Sequence, residues 1–193
     1  MEHTFTEEKI FEKNDFSKNT LPKGTFELCT FLNCNFSNAD LSKISFVSCE
    51  FYECNFSSAK IVQTAFQDAY FKDCKMLGLH FENCNDFGFS LKVNNCQLSH
   101  SSFYKKQFPK TEFINSKLHE VDFSGCNLSA SIFKNCDFLH AVFENTNLQN
   151  TNFKGSVNFT IDPENNQIKG AKFDLETVVG LLSKYQIKIE FGA

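Results

Sequence analysis

A five-residue apolar period dominates this sequence. From Phe11 to Phe81 every fifth residue is large and apolar, and a second series runs from Leu98 to Phe153 in a register displaced by two residues. Five residues advance an α-helix by about 140°, and in a strand an odd step reaches the opposite face. Neither element gathers these side chains on one side. A solenoid whose chain turns by a constant angle per repeat does so, because its stacked coils bury what one repeat cannot.

The central position of the repeat is mostly phenylalanine. The two series contain 19 of the 25 Phe residues, and the chain has no Trp. A bias of this kind predicts one inward position that is filled in the same way in every coil. We therefore predict a buried ladder of aromatic rings along the rod, with these members in its structural core: Phe31, Phe36, Phe51, Phe56, Phe71, Phe123, Phe133 and Phe143.

The residue two before each central residue, here called the corner slot, is usually small. All nine cysteines occupy it, among them Cys34, Cys54 and Cys74 at intervals of one coil. No CxxC pair and no Cys/His zinc spacing occurs, and a free cysteine behaves as a small buried hydrophobe. The pattern predicts reduced, metal-free thiols in the interior.

Short segments of the repeat resemble a known motif. Cys34-Asn35-Phe36-Ser37-Asn38 and Ala39-Asp40-Leu41-Ser42-Lys43 are similar to the A(D/N)LXX unit of pentapeptide-repeat proteins, and the resemblance covers roughly residues 9–153. It implies an all-β solenoid, a right-handed quadrilateral β-helix with four repeats per coil. We predict a single domain over 1–193, with coils at about 5–84 and 93–173 and a register break at 85–92, where Gly88 supplies backbone freedom.

The last segment, 174–193, departs from the repeat. Asp174 resembles an N-cap, and apolar residues follow it at helical spacing, which predicts a short C-terminal α-helix and then an extended tail. The family resemblance and the exposed apolar edge of the tail favour a homodimer through this end. The alternative is a tail that folds back onto its own solenoid. The candidate dimer contacts are Leu181, Ile187, Ile189 and Phe191.

Charge and composition exclude several classes of function. The net charge is −4, and all 19 basic residues are lysine. Without arginine the chain lacks the planar fork that commonly reads phosphates and bases, so direct nucleic-acid binding is disfavoured. No signal-like segment or stretch of membrane-spanning length occurs, and we expect a cytoplasmic protein that makes no membrane contact.

Catalysis and cofactor binding find no support in the motifs. The sequence has no GxSxG, Gly-rich phosphate loop or HExxH motif, and a packed lumen offers no concave pocket. His100, Glu120 and His140 recur at intervals of one coil, but the two imidazoles should stand about 10 Å apart, too far to share an ion. We expect a solvated ladder there, no enzyme activity, no cofactor and no metal site.

The family resemblance implies a protein partner. The Qnr and MfpA proteins are similar rods that mimic duplex DNA and protect DNA gyrase from quinolones, and McbG-type proteins protect it from a peptide toxin. Such a partner here would be DNA gyrase or topoisomerase IV. Residues 9–153, however, carry 15 acidic residues against 14 lysines, whereas duplex DNA carries one charge per about 1.7 Å.

Only a local patch can therefore resemble DNA, and the candidate partner-binding residues are Glu50, Glu53 and Asp73. The alternative function is a protein-interaction or structural scaffold that has an unrelated partner. A rigid rod that displays three outward residues per repeat suits either role, because a fold does not by itself define a function.

Overall fold

The computed structural model describes residues 4–190, and its regular structure consists of short β-strands and 3-10 turns. The 3-10 turns are Phe81–Asn83, Val178–Leu181 and Ser183–Tyr185. The strands are β1 Thr4–Glu7, β2 Ile10–Glu12, β3 Gly24–Glu27, β4 Thr30–Leu32, β5 Ser45–Val47, β6 Glu50–Tyr52, β7 Ala65–Gln67, β8 Ala69–Lys72, β9 Leu91–Asn94, β10 Glu112–Ile114 and β11 Ile132–Lys134.

The strands form two sheets on adjacent walls of a parallel solenoid. One sheet has the order β1-β3-β5-β7, and the other the order β11-β10-β9-β8-β6-β4-β2. In the longer sheet Phe31 pairs with Phe51, one coil of 20 residues further on. At β8 and β9 the step becomes 22, because Phe71 pairs with Val93. The predicted all-β solenoid is confirmed, and the change in period is a two-residue insertion within one coil.

The lumen is filled by the central residues of the repeat. The eight phenylalanines of the predicted ladder are buried, none of them more than 4% exposed. Along the rod the rings stack, with centroids 4.9 Å apart for Phe31 and Phe51. Around a coil they meet edge to face, as Phe51 and Phe56 do at 5.2 Å and 81°. Aromatic pairs of both kinds add about 0.5–1.5 kcal/mol each beyond the burial of their area.

The corners of the rod require left-handed backbone. The residue two after a central residue has a positive φ in coil after coil, for example Asn38 at 56° and Lys43 at 62°. At Asn38 the turn is closed by the Ala39 amide, which donates to the Phe36 carbonyl at 3.0 Å. This conformation costs a non-glycine residue about 1–2 kcal/mol, so each coil relies on burial to offset strain at its corners.

The insertion lies on the wall that β1, β3, β5 and β7 form in the earlier coils. Gly88 has a φ of +66° there, and Phe89 is buried in the lumen whereas Phe87 is 80% exposed. The Gln67 amide donates to the Phe87 carbonyl at 3.0 Å and holds the protruding loop. The two extra residues are thus accommodated outside the lumen, and Phe89 meets Phe108 of the next coil edge to face, with ring centroids 5.5 Å apart.

The predicted C-terminal α-helix is wrong, because the described residues contain only 3-10 turns after Asp174. The Asp174 carboxylate accepts a hydrogen bond from the Gly155 amide at 2.5 Å, on the preceding coil, instead of capping a helix. Gly180 lies against Phe159 so closely that a Cβ would stand 2.2 Å from its carbonyl oxygen. Contacts with the last coil therefore override the helical spacing, and Leu175 is 80% exposed.

Among the described residues, none of the helices has the length and apolar character needed to cross a membrane.

Candidate partner-binding face

The longer sheet gives one wall of the rod a continuous series of strands. We call this wall the sheet face: the two outward residues of each strand and the corner residue on either side of it. The β6 strand shows the arrangement, because Phe51 points into the lumen while Glu50 and Tyr52 point outward. Every coil contributes one such rung, so the face displays columns of side chains that are held about 4.8 Å apart by the sheet.

The three candidate acidic residues all lie on the sheet face and are exposed. Glu50 and Glu53 belong to one coil, and Asp73 follows Glu53 in the corner column, with φ values of 54° and 58° for these two corner residues. The Asn95 side-chain amide donates to Asp73 at 2.5 Å. The axial neighbour of Glu50 is not an acid, because β6 pairs with β8 so that Glu50 lies beside Tyr70.

Sequence reasoning missed a fourth carboxylate and two tyrosines on this face. Asp68 occupies the corner before β8 and is exposed, and only its position three before Phe71 could have indicated this. Tyr52 and Tyr70 meet edge to face at 6.0 Å. The Tyr52 hydroxyl donates to the Glu50 carboxylate at 2.9 Å. Burial, together with this hydrogen bond, raises the pKa of Tyr52 to about 12, so the phenol remains a donor at neutral pH.

The acidic patch therefore consists of Glu50, Glu53, Asp68 and Asp73 around the tyrosine pair. Lys72 lies within it, next to Tyr52 in the register of β6 and β8. Lys92 borders it beside Tyr70, so four carboxylates against two ammonium groups leave the patch negative. Aromatic rings beside carboxylates suit a cationic partner, since a cation can contact both the ring and the acid.

The C-terminal candidate contacts divide into two groups. Leu181 is partly buried and packs against the lumen residues of the last coil. Ile187 and Ile189 are 56% and 43% exposed, and Phe191 lies outside the described residues. The segment is held to the rod by Lys184, whose ammonium lies 2.7 Å from Asp162 and 2.6 Å from Glu164. The exposed apolar surface is therefore at Ile187 and Ile189.

The nine cysteines are free thiols and buried. Their sulfurs do more than fill space, because eight of the nine donate to the backbone carbonyl 23 positions earlier, on the preceding coil. Cys54 donates to Phe31 at 3.4 Å, and Thr146 donates to Phe123 at 2.9 Å in the same manner. Burial raises the pKa of the Cys49 and Cys136 thiols to about 12. Such thiols are poor nucleophiles and poor metal ligands at neutral pH.

One buried corner slot is occupied by a lysine, which sequence reasoning also missed. Lys106 is 2% exposed, and its ammonium donates to the Cys84 carbonyl and the Asp86 carboxylate, both at 2.6 Å. It also lies 4.9 Å from the centroid of the Phe89 ring. Lys106 thus binds the backbone at the insertion. The available signal was a cation at an inward position of the repeat, two before Phe108.

The histidines of the outer wall lie beside carboxylates. His100 Nδ1 lies 3.2 Å from the Glu120 carboxylate, and His119 turns away from Glu120 towards Asp137, at 2.8 Å. Within residues 4–190, no group of three or more His, Cys, Asp or Glu side chains is placed to hold a metal ion. The column is a solvated ladder on the outer wall.

Two family models match the chain and agree with this architecture. A model of the pentapeptide repeat region matches residues 89–173, and a model of eight pentapeptide repeat copies matches residues 49–85. Together they span more than half of the sequence, and the chain belongs to the pentapeptide-repeat family. No curated protein matches the sequence.

The solved structures that resemble the chain include QnrB1, a plasmid-mediated fluoroquinolone resistance protein. Full-length QnrB1 matches with a TM-score of 0.58 and 19% identity, over 95% of this chain and 100% of QnrB1. A trypsin-treated QnrB1 variant matches with a TM-score of 0.55 and 21% identity, over 97% of this chain and 92% of the other. At these identities the likeness shows the shared fold.

Proposed function

We propose that this protein is a non-catalytic, protein-binding rod that binds a type II topoisomerase, DNA gyrase or topoisomerase IV, and protects it from quinolones or toxins. The fold shared with a fluoroquinolone resistance protein over nearly the whole chain supports this proposal. We place the interaction in the cytoplasm, where nine thiols would remain reduced.

The observation that carries the proposal is the acidic patch. Glu50 and Glu53 are exposed on one coil and Asp68 and Asp73 on the next, on a wall that the parallel sheet keeps rigid. Over these two coils the face carries a net negative charge, which favours contact with a basic site that would otherwise bind backbone phosphate. The patch, rather than the whole rod, is the surface that resembles DNA, since charges elsewhere nearly balance.

The experiment is a gyrase supercoiling assay with and without a quinolone, to which the purified protein is added. We expect the native chain to restore supercoiling in the presence of the drug, and Glu50→Lys/Glu53→Lys to lose this protection. The Lys side chain suits the corner position, because Lys43 occupies an equivalent corner with a φ of 62°.

The matched control is Glu144→Lys, an exposed carboxylate on another wall, which should protect as well as the native chain. If the native chain gives no protection against quinolones or toxins, the unrelated-partner alternative takes its place. Equal loss in the control would remove the role of the acidic patch.

We also propose that the chain forms a homodimer through its C-terminal end. Ile187 and Ile189 border a shallow apolar groove together with Val179 and Leu182, and a two-fold contact between identical grooves would cover both. Light scattering at micromolar concentration should give twice the mass of one chain, and Ile187→Asp/Ile189→Asp should give a single chain. A monomeric native protein would favour the folded-back tail.

A further inference from the structure

The charged residues of the sheet face are divided about its middle rung in a way that the repeat alone does not require. Its strands and the bridges Ile132–Asn152–Lys172 extend it over nine rungs, from the coil of Phe11 to that of Phe173. The β9 strand, which carries Val93, is the fifth rung and therefore the middle one. Four rungs lie on each side of it.

Charge divides at this middle rung. The first four rungs carry six carboxylates and only the lysines Lys13 and Lys72. The last four carry four lysines and only the carboxylates Glu112 and Asp174. The carboxylates of the first half are Glu8, Glu12, Glu50, Glu53, Asp68 and Asp73. The lysines of the second half are Lys110, Lys134, Lys154 and Lys172, all exposed.

We propose that the sheet face binds a second copy of this chain, with the two rods side by side and antiparallel. A two-fold axis that runs along β9 between the two faces places each acidic half on the basic half of the other copy. An isologous contact of this kind closes on itself and stops at two chains. Complementary charge supplies its specificity, and it also steers the encounter.

The register makes individual contacts explicit. Rotation about an axis parallel to the strands places each column opposite the same column of the second copy. It also places the fourth rung, β8, opposite the sixth rung, β10. Asp68 and Lys110 occupy the same corner column on these two rungs, so they meet, twice per pair. The third rung, β6, lies opposite the seventh rung, β11, which brings Lys134 onto the ring of Tyr52, beside Glu50. Lys92 meets its own copy on the axis, with Glu112 adjacent to it in the sheet.

This pairing would cover the acidic patch that is proposed above to bind a topoisomerase. The two contacts are therefore mutually exclusive, and self-association would keep the patch occupied until a partner competes for it. The inference does not depend on the proposed function, since its test contains no topoisomerase.

The test is sedimentation of the full chain at about 0.01 M and about 1 M salt, where the Debye length falls from about 30 Å to about 3 Å. The mass at high salt gives the baseline, including any contact through the C-terminal apolar groove. We expect a larger assembly at low salt and an association constant at least about tenfold weaker at high salt, as screening predicts.

Two charge-reversed variants determine whether the sheet face is responsible. Glu50→Lys/Asp68→Lys removes the net negative charge of the first half while the second half stays basic, and Lys110→Glu/Lys134→Glu makes both halves acidic, so each variant alone should remain at the baseline mass in low salt. Mixed in equal amounts they should associate with each other, which also shows that both are folded. A mass that does not respond to salt, or a mixture that stays at the baseline, would overturn the proposal.

Discussion

The coils before the insertion and the coils after it follow the same period but are built differently. Before it, eight strands form two sheets, whereas after it β9, β10 and β11 are the strands that remain and single bridges replace the others. Six cysteines occupy the corner slot before the insertion, whereas after it serine and threonine outnumber cysteine there, as at Ser116, Thr146 and Thr151. The comparison teaches that the period specifies the coil, and that the slot needs a side chain that fits the interior but no donor, since Ile44, Leu79 and Val121 are buried there as well.

The aromatic column on the wall of the longer sheet is interrupted at the insertion, where Phe71 pairs with Val93, and stacking resumes with Phe113 and Phe133. Phe31, Phe51 and Phe71 stack on one wall before it. The column of Phe81 and Phe103, at 4.3 Å, continues the aromatic core across it on another wall. A two-residue change of register is tolerated because at least one column of rings passes it without interruption. We therefore expect the two halves to unfold as one unit.

The largest predicted effect tests this shared core. Phe56→Ala before the insertion and Phe133→Ala after it should each lower the free energy of unfolding by about 3–5 kcal/mol, because each removes a fully buried ring. Chemical denaturation followed by circular dichroism measures both. Lys60→Ala on the outer wall is the control and should cost under about 0.5 kcal/mol. Two separate transitions in either variant would show that the halves are independent.

The next effect concerns the insertion. Lys106→Met keeps the apolar stem but removes the donor to the Cys84 carbonyl at 2.6 Å, and an unsatisfied buried carbonyl costs about 1–3 kcal/mol. We expect the free energy of unfolding, measured by chemical denaturation, to fall by that amount. Hydrogen exchange should become faster only in residues 84–92. Lys105→Met, a neighbouring exposed lysine, should leave both measurements unchanged. Equal values for the two variants would show that Lys106 has no specific role there.

A smaller effect distinguishes the two chemistries of the corner slot. Cys54→Ser should cost about 1 kcal/mol, because the hydroxyl can still donate to Phe31, and Ser116→Cys in the same column should cost no more. Thiol titration supplies an independent check: few of the nine cysteines should react in the native protein, and all nine after denaturation. Rapid labelling of most native thiols would contradict their interior position.

A stabilising change is expected at a corner in the later half. Ala130 has a φ of 56° and is exposed, so Ala130→Gly relieves left-handed strain while adding chain entropy to the unfolded state. We expect the free energy of unfolding, measured by chemical denaturation, to rise by up to about 1 kcal/mol. The same replacement at the buried Ala59, which is not a left-handed position, should be destabilising. A loss at both sites would argue against the corner strain.

The smallest effect is local and depends on pH. Hydrogen bonds from Lys184 hold the pKa values of Asp162 and Glu164 below their ordinary range. The stability that these ionised carboxylates give to the C-terminal segment is therefore complete above their unfolded pKa values of about 3.9 and about 4.3. It is lost as pH falls through the lower folded pKa values. Amide NMR signals of 178–185 should shift on acidification before the rod unfolds, and Lys184→Gln should show that shifted state at neutral pH.

Much of this protein could be predicted from its residues alone. The five-residue period specified the inward phenylalanines, the positions of the cysteines and the two-residue change of register. These features depend on burial that is repeated in every coil. Because equivalent positions in successive repeats have the same environment, the pattern remains recognisable despite local exceptions. Glu50, Glu53 and Asp73 could be assigned to one wall for the same reason.

Features that depend on single contacts between coils needed the tertiary structure. The helical spacing after Asp174 did not produce an α-helix, because Gly155 and Phe159 of the preceding coil determine where that segment lies. Lys106 is buried because the insertion leaves the Cys84 carbonyl in need of a donor. The separation of charge about β9 appears only once nine rungs are aligned, since residues 20 or 22 positions apart in the chain become neighbours in space.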